Sequence, residues 1–352
     1  PSGRKNLVTN GAMQVAQRGT SSTGLGAAAG YFTCDRWRTT SSGDAGRYTM
    51  TQTADGPSGF ANCLKLDCTT ADTSIAAGEG LLIRQTFEGQ DLQQIKKGTS
   101  DAELITVSFY VKANAAFTFG CELDDRDNTR AITKLFATTT DWVRHEITFP
   151  ADTTGALDDD NANSFQISFW LHAGATYTGG TLNTAAWASR TNANRAAGID
   201  SFFSSTDNEL FITGVQMEIG SQATNFEHRS AGEEMLLCQR YFFIGCSSTD
   251  AHTGGMANGS FRTTSNAQVL QQHPVAMRTN PTTALRASGS VVIHDTNDGN
   301  NINVTAIDAV VNQSVKSTLF GLTLASASGV VGEGCWTYSA GGTPGITFDA
   351  EL

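Results

Sequence analysis

The sequence predicts an all-β protein whose larger part is an antiparallel sandwich or jelly roll, and three observations carry that prediction. The first is period-2 alternation. In Leu104–Lys112 (LITVSFYVK), Val107, Phe109 and Val111 alternate with Ser108, Tyr110 and Lys112. In Ser164–His172 (SFQISFWLH), Phe165, Ile167, Phe169 and Leu171 alternate with Gln166, Ser168, Trp170 and His172. Each run reads as a strand with one face turned to a core. The second is punctuation by turn formers at Asp152–Gly155, Asp158–Asn163 and Gly198–Asp200. The third is composition: 36 glycines and only 16% charged residues, with abundant Thr, Ser and Asn. Such a mixture suits pleats and tight turns better than long helices.

Trp142–Phe149 and Glu209–Ile219 add further alternating strands. About ten short strands before residue 220, spaced by turns, are the pattern of a sandwich or jelly roll. One short helix is expected at Gln90–Lys97 (QDLQQIKK), stopped by Gly98. A second opens on Ser230-Ala-Gly-Glu233, an S-x-x-E capping pattern, with Glu233 and Glu234 suited to the positive helix N-terminus. Met235, Leu236, Leu237, Cys238, Tyr241, Phe242 and Phe243 follow, so this short helix is apolar nearly all round and should be buried on several sides. Leu236, Leu237, Tyr241 and Phe242 are therefore the expected oligomer interface, and Leu236 and its neighbours mark the domain boundary. The resulting division is 1–229, a connecting and oligomerisation helix at 230–244, and a smaller C-terminal β-domain at 245–352. Within the last, Ser290–Ile293 and Ile302–Ala306 flank the loop His294–Asn301 (HDTNDGNN), and Gly345–Leu352 reads as a last strand. No repeat of 20–50 residues is visible, which argues against a solenoid or propeller.

Charge and motifs narrow the function. Acids outnumber bases 34 to 23, a net charge of −11, so a nucleic-acid partner is not expected. No apolar run approaches the ~18 residues of a membrane span, and the basic opening residues lead into no apolar signal segment. The seven cysteines form no CxxC pair and no Cys/His cluster, which suggests reduced, buried thiols. GxSxG, HExxH and Walker patterns are lacking, and the expectation is no enzymatic activity. The acidic groups Asp124, Asp125 and Asp127, and Asp158 to Asp160, read as solvated turn formers. Asp158 and Asp160 remain a calcium candidate, since hard oxygen donors on a loop are what calcium takes. Asp295-Thr-Asn297-Asp298-Gly299 misses the EF-hand spacing.

Parity places Trp170 on one strand face with Gln166, Ser168 and His172, and Tyr110 with Ser108 and Lys112. Rings among hydrogen-bonding side chains suit a sugar, so Tyr110, Lys112, Gln166, Trp170 and His172 are the candidate glycan platform. The competing reading is that this polar face packs against a neighbouring chain or a second sheet.

Several blocks resemble one known group. Asn6–Thr20 (NLVTNGAMQVAQRGT), Tyr31–Trp37 (YFTCDRW), Phe87–Leu92 (FEGQDL), Val107–Lys112 (VSFYVK), Thr181–Ala196 with its TNANRA, Ile212–Arg229 and Glu233–Phe242 (EEMLLCQRYF) are similar to tail-fibre-like virion proteins of marine and cyanobacterial phages. His273–Pro281 and the terminal DAEL extend the likeness thinly. The resemblance implies an N-terminal jelly roll similar to carbohydrate-binding modules, then a helix and a smaller β-domain, usually in a trimer. Those modules often carry an acidic pair on the last strand that helps hold calcium, and here Ile212-Thr213-Gly214-Val215 has none. Two functions follow as expectations. One is a homotrimeric tail-fibre or head-fibre subunit in the virion, contacting other virion proteins and a host-surface glycan. The other is a free-standing glycan-binding module without a virion role.

Overall fold

The computed structural model describes residues 4–43, 45–246, 255, 257–297, 299–341 and 345–352. It is nearly all β, and it divides into two compact units, 1–234 with Leu352, and 235–351. Asp298, in the loop that missed the EF-hand spacing, lies outside the described residues.

The first unit carries β1 (Ser21–Leu25), β2 (Gly30–Tyr31), β3 (Arg38–Ser42), β4 (Arg47–Thr53), β5 (Cys63–Thr70), β6 (Gly80–Glu88), β7 (Ile105–Ala113), β8 (Thr118–Asp125), β9 (Arg130–Ala137), β10 (Val143–Phe149), β11 (Asn163–Ala173), β12 (Ala188–Ser189) and β13 (Glu209–Ile219). They form a six-stranded sheet ordered β1-β4-β5-β13-β7-β10 and a seven-stranded sheet ordered β12-β9-β8-β11-β6-β3-β2. Alternation decides what enters the space between them. Val107, Phe109 and Val111 of β7 share a core with Phe165, Ile167, Phe169 and Leu171 of β11, all unexposed. Phe109 and Phe169 meet edge to face with centroids 4.9 Å apart. All seven cysteines are buried, Cys34 and Cys121 in this core.

The helix expected at Gln90–Lys97 is instead a pair of single 3₁₀ turns, Gly89–Asp91 and Gln93–Ile95. Leu92 and Ile95 are buried three residues apart, which suits the tighter 3₁₀ period, and Lys96 ends the run at φ 53°. Gly89 is required there, because a Cβ would stand 1.8 Å from the Asp158 carbonyl oxygen.

Helix α2 spans Ala231–Gln239 and then gives way to β14 (Phe242–Gly245), short of the expected end at Phe243. Its cap is half of the predicted box. Ser230 Oγ accepts from Glu233 N at 3.2 Å, while Glu233 pairs with Arg4. Glu234, nearly buried, accepts from Asn10 N at 2.6 Å and from Arg229. The proposed oligomer residues part company here. Tyr241 and Phe242 are buried within the single chain, 6% and 3% exposed, since β14 pairs Phe242 with Asp349 of β22 (Ile346–Asp349). Leu237 is partly exposed, and Leu236 is 49% exposed. The helix is thus not buried on all sides.

In the second unit, β14, β22 and β17 (Thr282–Leu285) make a three-stranded sheet. β15 (Asn258–Thr263), β16 (Asn266–Gln272), β18 (Val291–Asp295), β19 (Asn301–Gln313), β20 (Ser317–Leu324) and β21 (Gly334–Ser339) close into a barrel ordered β15-β16-β20-β19-β18-β21. Ile293 pairs with Ile302 in the β18–β19 hairpin. Val269, Val291, Ile293, Val304, Phe320 and Leu322 fill its interior with no exposure.

Candidate functional site

The predicted glycan platform does not exist as one surface. Tyr110 and Lys112 lie on β7 of the six-stranded sheet, whereas Gln166, Trp170 and His172 lie on β11 of the other. Tyr110 and Lys112 on one side, and Gln166 and Trp170 on the other, point away from the shared core and so occupy opposite faces of the sandwich. A bulge between Trp170 and His172 breaks the parity, pairs His172 with core Leu81 and sets its ring 5.1 Å from Phe203. Tyr110 keeps partial exposure and rests against Phe60, centroids 5.2 Å apart. Lys112 Nζ pairs with Asp55 at 2.8 Å and lies 4.6 Å from the Phe211 ring centre.

On the seven-stranded sheet a third layer covers one end of the outer face. The chain between β11 and β13 folds back over it, through α1 (Ala175–Thr178) and a 3₁₀ turn at Asn192–Asn194. Trp170 is 1% exposed, its ring 5.1 Å from Tyr177 and 4.9 Å from the Arg195 guanidinium carbon. Gln166 is also buried, donating to Thr86 Oγ1 and accepting from Arg84.

Two of the acids that the sequence assigned to solvated turns, Asp124 and Asp125, are instead fully buried, as is Glu122, whereas Asp127 is partly exposed and Asp158 to Asp160 are exposed. Register pairs Gln166 with Asp124 and Ser168 with Glu122. Arg195 grips Glu122 with two bonds of 2.9 and 2.6 Å. Asp124 takes Arg190 at 2.8 Å and Arg126 at 3.1 Å. Asp125, on the core parity, pairs with Lys97 at 2.5 Å, and Lys97 reaches Asp152 at 3.0 Å. Arg126 is local, but Arg190 and Arg195 lie 66 and 73 residues downstream of Asp124 and Glu122, so the pattern near Asp124 did not reveal the main pairing.

Further along the same face, where the covering layer does not reach, Arg38 and Arg84 are partly exposed and directly opposed across β3 and β6. Burial first, then the Arg38 charge, pulls Arg84 down to about 10.

Asp158 and Asp160 are exposed loop residues, and Asp160 Oδ1 accepts from Ala162 N. They do not belong to the one group of three potential ligands among the described residues, which is Asp72, Glu79 and His172, all buried. There His172 already has partners, Ser201 Oγ at 2.7 Å and Glu79 at 3.3 Å, and burial lowers its pKa. Asp72 accepts from Ser74 N and Ala45 N. The three therefore stand as a polar cluster that holds loops together, with donor chemistry that also suits a divalent cation.

A site that sequence reasoning missed lies on the barrel. On β21, Cys335, Thr337 and Ser339 point inward, leaving Trp336 and Tyr338 on the outside and partly exposed. His294 of β18 sits opposite Trp336, stacked at 4.9 Å with a 23° interplanar angle. Tyr338 meets both rings edge-on, at 5.5 and 5.9 Å. Register sets amides around these rings: Asn301 opposite His294, Asn303 opposite Val292 and Asn258 opposite Trp336. Asn301 Oδ1 bonds to His294 Nδ1 at 2.9 Å. The available signal was the alternation Cys335-Trp336-Thr337-Tyr338.

No family model matches the sequence, and no curated protein matches it. Solved structures similar to the chain include the enzymatically active domain of tailspike protein 4 of bacteriophage CBA120, 13% identical, covering 61% of this chain and 21% of that one, with a TM-score of 0.31. The match thus spans about a fifth of that solved domain's length. The family 11 carbohydrate-binding module of the cellulosomal cellulase Lic26A-Cel5E of Clostridium thermocellum is 14% identical over 55% of this chain and 91% of its own, with a TM-score of 0.29. The CBM22-1 xylan-binding domain of Paenibacillus barcinonensis Xyn10C is 11% identical over 63% and 100%, with a TM-score of 0.30. At these scores the likenesses carry no functional weight.

Proposed function

We propose that the protein is a non-catalytic, glycan-binding subunit of a virion appendage, a tail or head fibre, assembled as a homotrimer with other virion proteins around it. The observation that carries the binding reading is the His294–Trp336–Tyr338 ledge. A pyranose ring stacks its apolar face on an aromatic while its hydroxyls need amide edges, and Asn258, Asn301 and Asn303 supply them. Glu122 and Asp124, the best-placed acids on the jelly roll's outer face, are salt-bridged to arginines, which supports binding over hydrolysis. The co-linear blocks shared with tail-fibre-like proteins support the virion setting. Exposed apolar residues support self-assembly: Leu236, and on the barrel Leu270, Val310 and Val311 at 42, 41 and 47%. Weak single sites are compatible with adhesion, because several copies on one fibre raise effective affinity by about two to four decades.

The test measures the full chain's mass in solution and its retention on immobilised neutral oligosaccharides. A trimer whose retention falls about tenfold in Trp336→Ala, at an unchanged melting temperature, is expected. A monomer that binds would favour the free-standing module, and no retention at all would overturn glycan binding.

A further inference from the structure

We propose that Arg38 and Arg84, on the uncovered part of the seven-stranded sheet's outer face, bind the anionic group, a carboxylate or a sulfate ester, of an acidic saccharide. The proposal rests on the glycan-binding reading and names a ligand class for a second site. Strand register lines up Tyr31, Arg38, Arg84, Ser168 and Glu122 in a single row across five strands. Directly opposed side chains have Cβ atoms about 5 Å apart, and like charges so placed repel. A sheet has no structural need for two facing arginines, least of all in a chain of net charge −11.

Among the described residues neither arginine has a counter-ion. The acids of this face are taken: Glu122 by Arg195, and Asp124 by Arg190 and Arg126. Among the described residues no carboxylate comes within 4.0 Å of Arg38 or Arg84. Arg84 Nη1 donates to Gln166 Oε1 at 3.2 Å, yet its Nε is buried with no acceptor. Two neighbours on the same face are in the same condition. Ser168 Oγ, on a residue 1% exposed, and Thr40 Oγ1 are buried without partners. The charged groups close enough to move the Arg84 pKa include Arg38, Arg126 and Arg195, each pushing it down. A desolvated guanidinium fork beside a second one, with unused hydroxyl donors at its edge, is matched by a planar or tetrahedral oxyanion that accepts several bonds at once. Tyr31 closes the row, partly exposed, with the Arg18 guanidinium 5.1 Å from its ring centre adding further positive charge to this edge of the site.

The experiment uses the full chain and three probes: galacturonic acid oligomers, sulfated galactose oligomers and neutral galactose oligomers. At least one acidic probe should bind more tightly than the neutral one, weaken as salt rises, and lose at least tenfold in Arg84→Gln and in Arg38→Gln. Neutral binding, which the Trp336 ledge supplies, should be unchanged in both. The tighter acidic probe identifies carboxylate or sulfate as the group. Should Arg84→Gln fail to fold, Arg38→Gln decides. Undiminished acidic binding in a folded variant overturns the site, as does acidic binding no tighter than neutral. Neutral binding without acidic binding overturns this site alone, whereas no binding of any probe overturns the glycan reading as well. Inorganic sulfate that binds as tightly as the oligomers overturns the saccharide assignment.

Discussion

Trp170 and Trp336 occupy equivalent positions in two different sheets and meet opposite fates. Each stands on an outward parity, between residues whose side chains enter a core. Trp170 is sealed under Tyr177, Arg195 and Ala196, whereas Trp336 stays partly open beside His294 and Tyr338. Period-2 alternation therefore tells which side of a sheet a residue takes, and nothing about whether a third layer covers that side. The difference arises elsewhere in the sequence: a long connection follows β11 and returns across its own strand, while β21 has no such return.

The largest expected effect separates the two tryptophans by stability. Trp170→Ala removes a buried indole from the cluster with Leu82 and Ala196, and should destabilise the first unit by about 3–5 kcal/mol. Trp336→Ala should change stability by under ~1 kcal/mol, because its ring lies outside the barrel core, partly exposed, against His294 and Tyr338. Denaturant unfolding of both variants checks this. Equal losses would mean that the two faces do not differ as described.

A somewhat smaller effect comes from the layer that covers Trp170. Arg195 is both its lid and the partner of unexposed Glu122. Arg195→Ala leaves Glu122 with a buried, unpaired charge, and a loss of about 3 kcal/mol is expected, at the lower end for broken buried pairs because Arg195 is 14% exposed. The same change uncovers Trp170, so its fluorescence should become quenchable by acrylamide. Arg195→Ala with Glu122→Gln should recover part of the stability, since no bare charge then remains. A double variant no more stable than the single would put the loss in packing alone.

These two regions also show how far the sequence could be read. The alternating strands around Phe109 and Phe169, and the hairpin joining Ile293 to Ile302, follow from local patterns and are found in the fold. The ion-pair layer was not legible, because Glu122 and Arg195 are 73 residues apart and each looks like a surface residue alone. Tyr110 and Trp170 were read as neighbours for a related reason. Parity gives a face, while sheet membership is set by strand order, which places β7 and β11 in different sheets. The stop of α2 at Gln239 was missed because Phe242 and Phe243 satisfy an apolar helix as well as a strand, and only the distant β22 decides between them.

The smallest expected effect compares the units through two imidazoles, one partly exposed and one buried. His145 in the first unit and His273 in the second are both held below the usual imidazole range, burial being the first cause in each. His273 Nδ1 lies 3.0 Å from the Val315 carbonyl oxygen, which can only accept, so that nitrogen carries the proton. Nε2 then accepts from Thr318 Oγ1 at 3.0 Å; a second proton would force that hydroxyl to turn and accept instead, and would place a charge where the ring is buried. The sign follows from linkage. Above about pH 6.5 both native and unfolded imidazoles are neutral, and no stability is lost. As pH falls below that value the unfolded chain takes up protons that the native chain refuses, so stability declines toward the lower native pKa. His145 donates from Nε2 to the Ala137 carbonyl at 2.8 Å, a bond that survives protonation, so it should contribute less than His273. Melting followed from pH 7.5 to 5.5 should therefore show a decline that His273→Gln flattens more than His145→Gln. A parent protein whose stability rises over that interval, or a His273→Gln profile parallel to the parent's, would show that the buried ring in the second unit does not resist protonation.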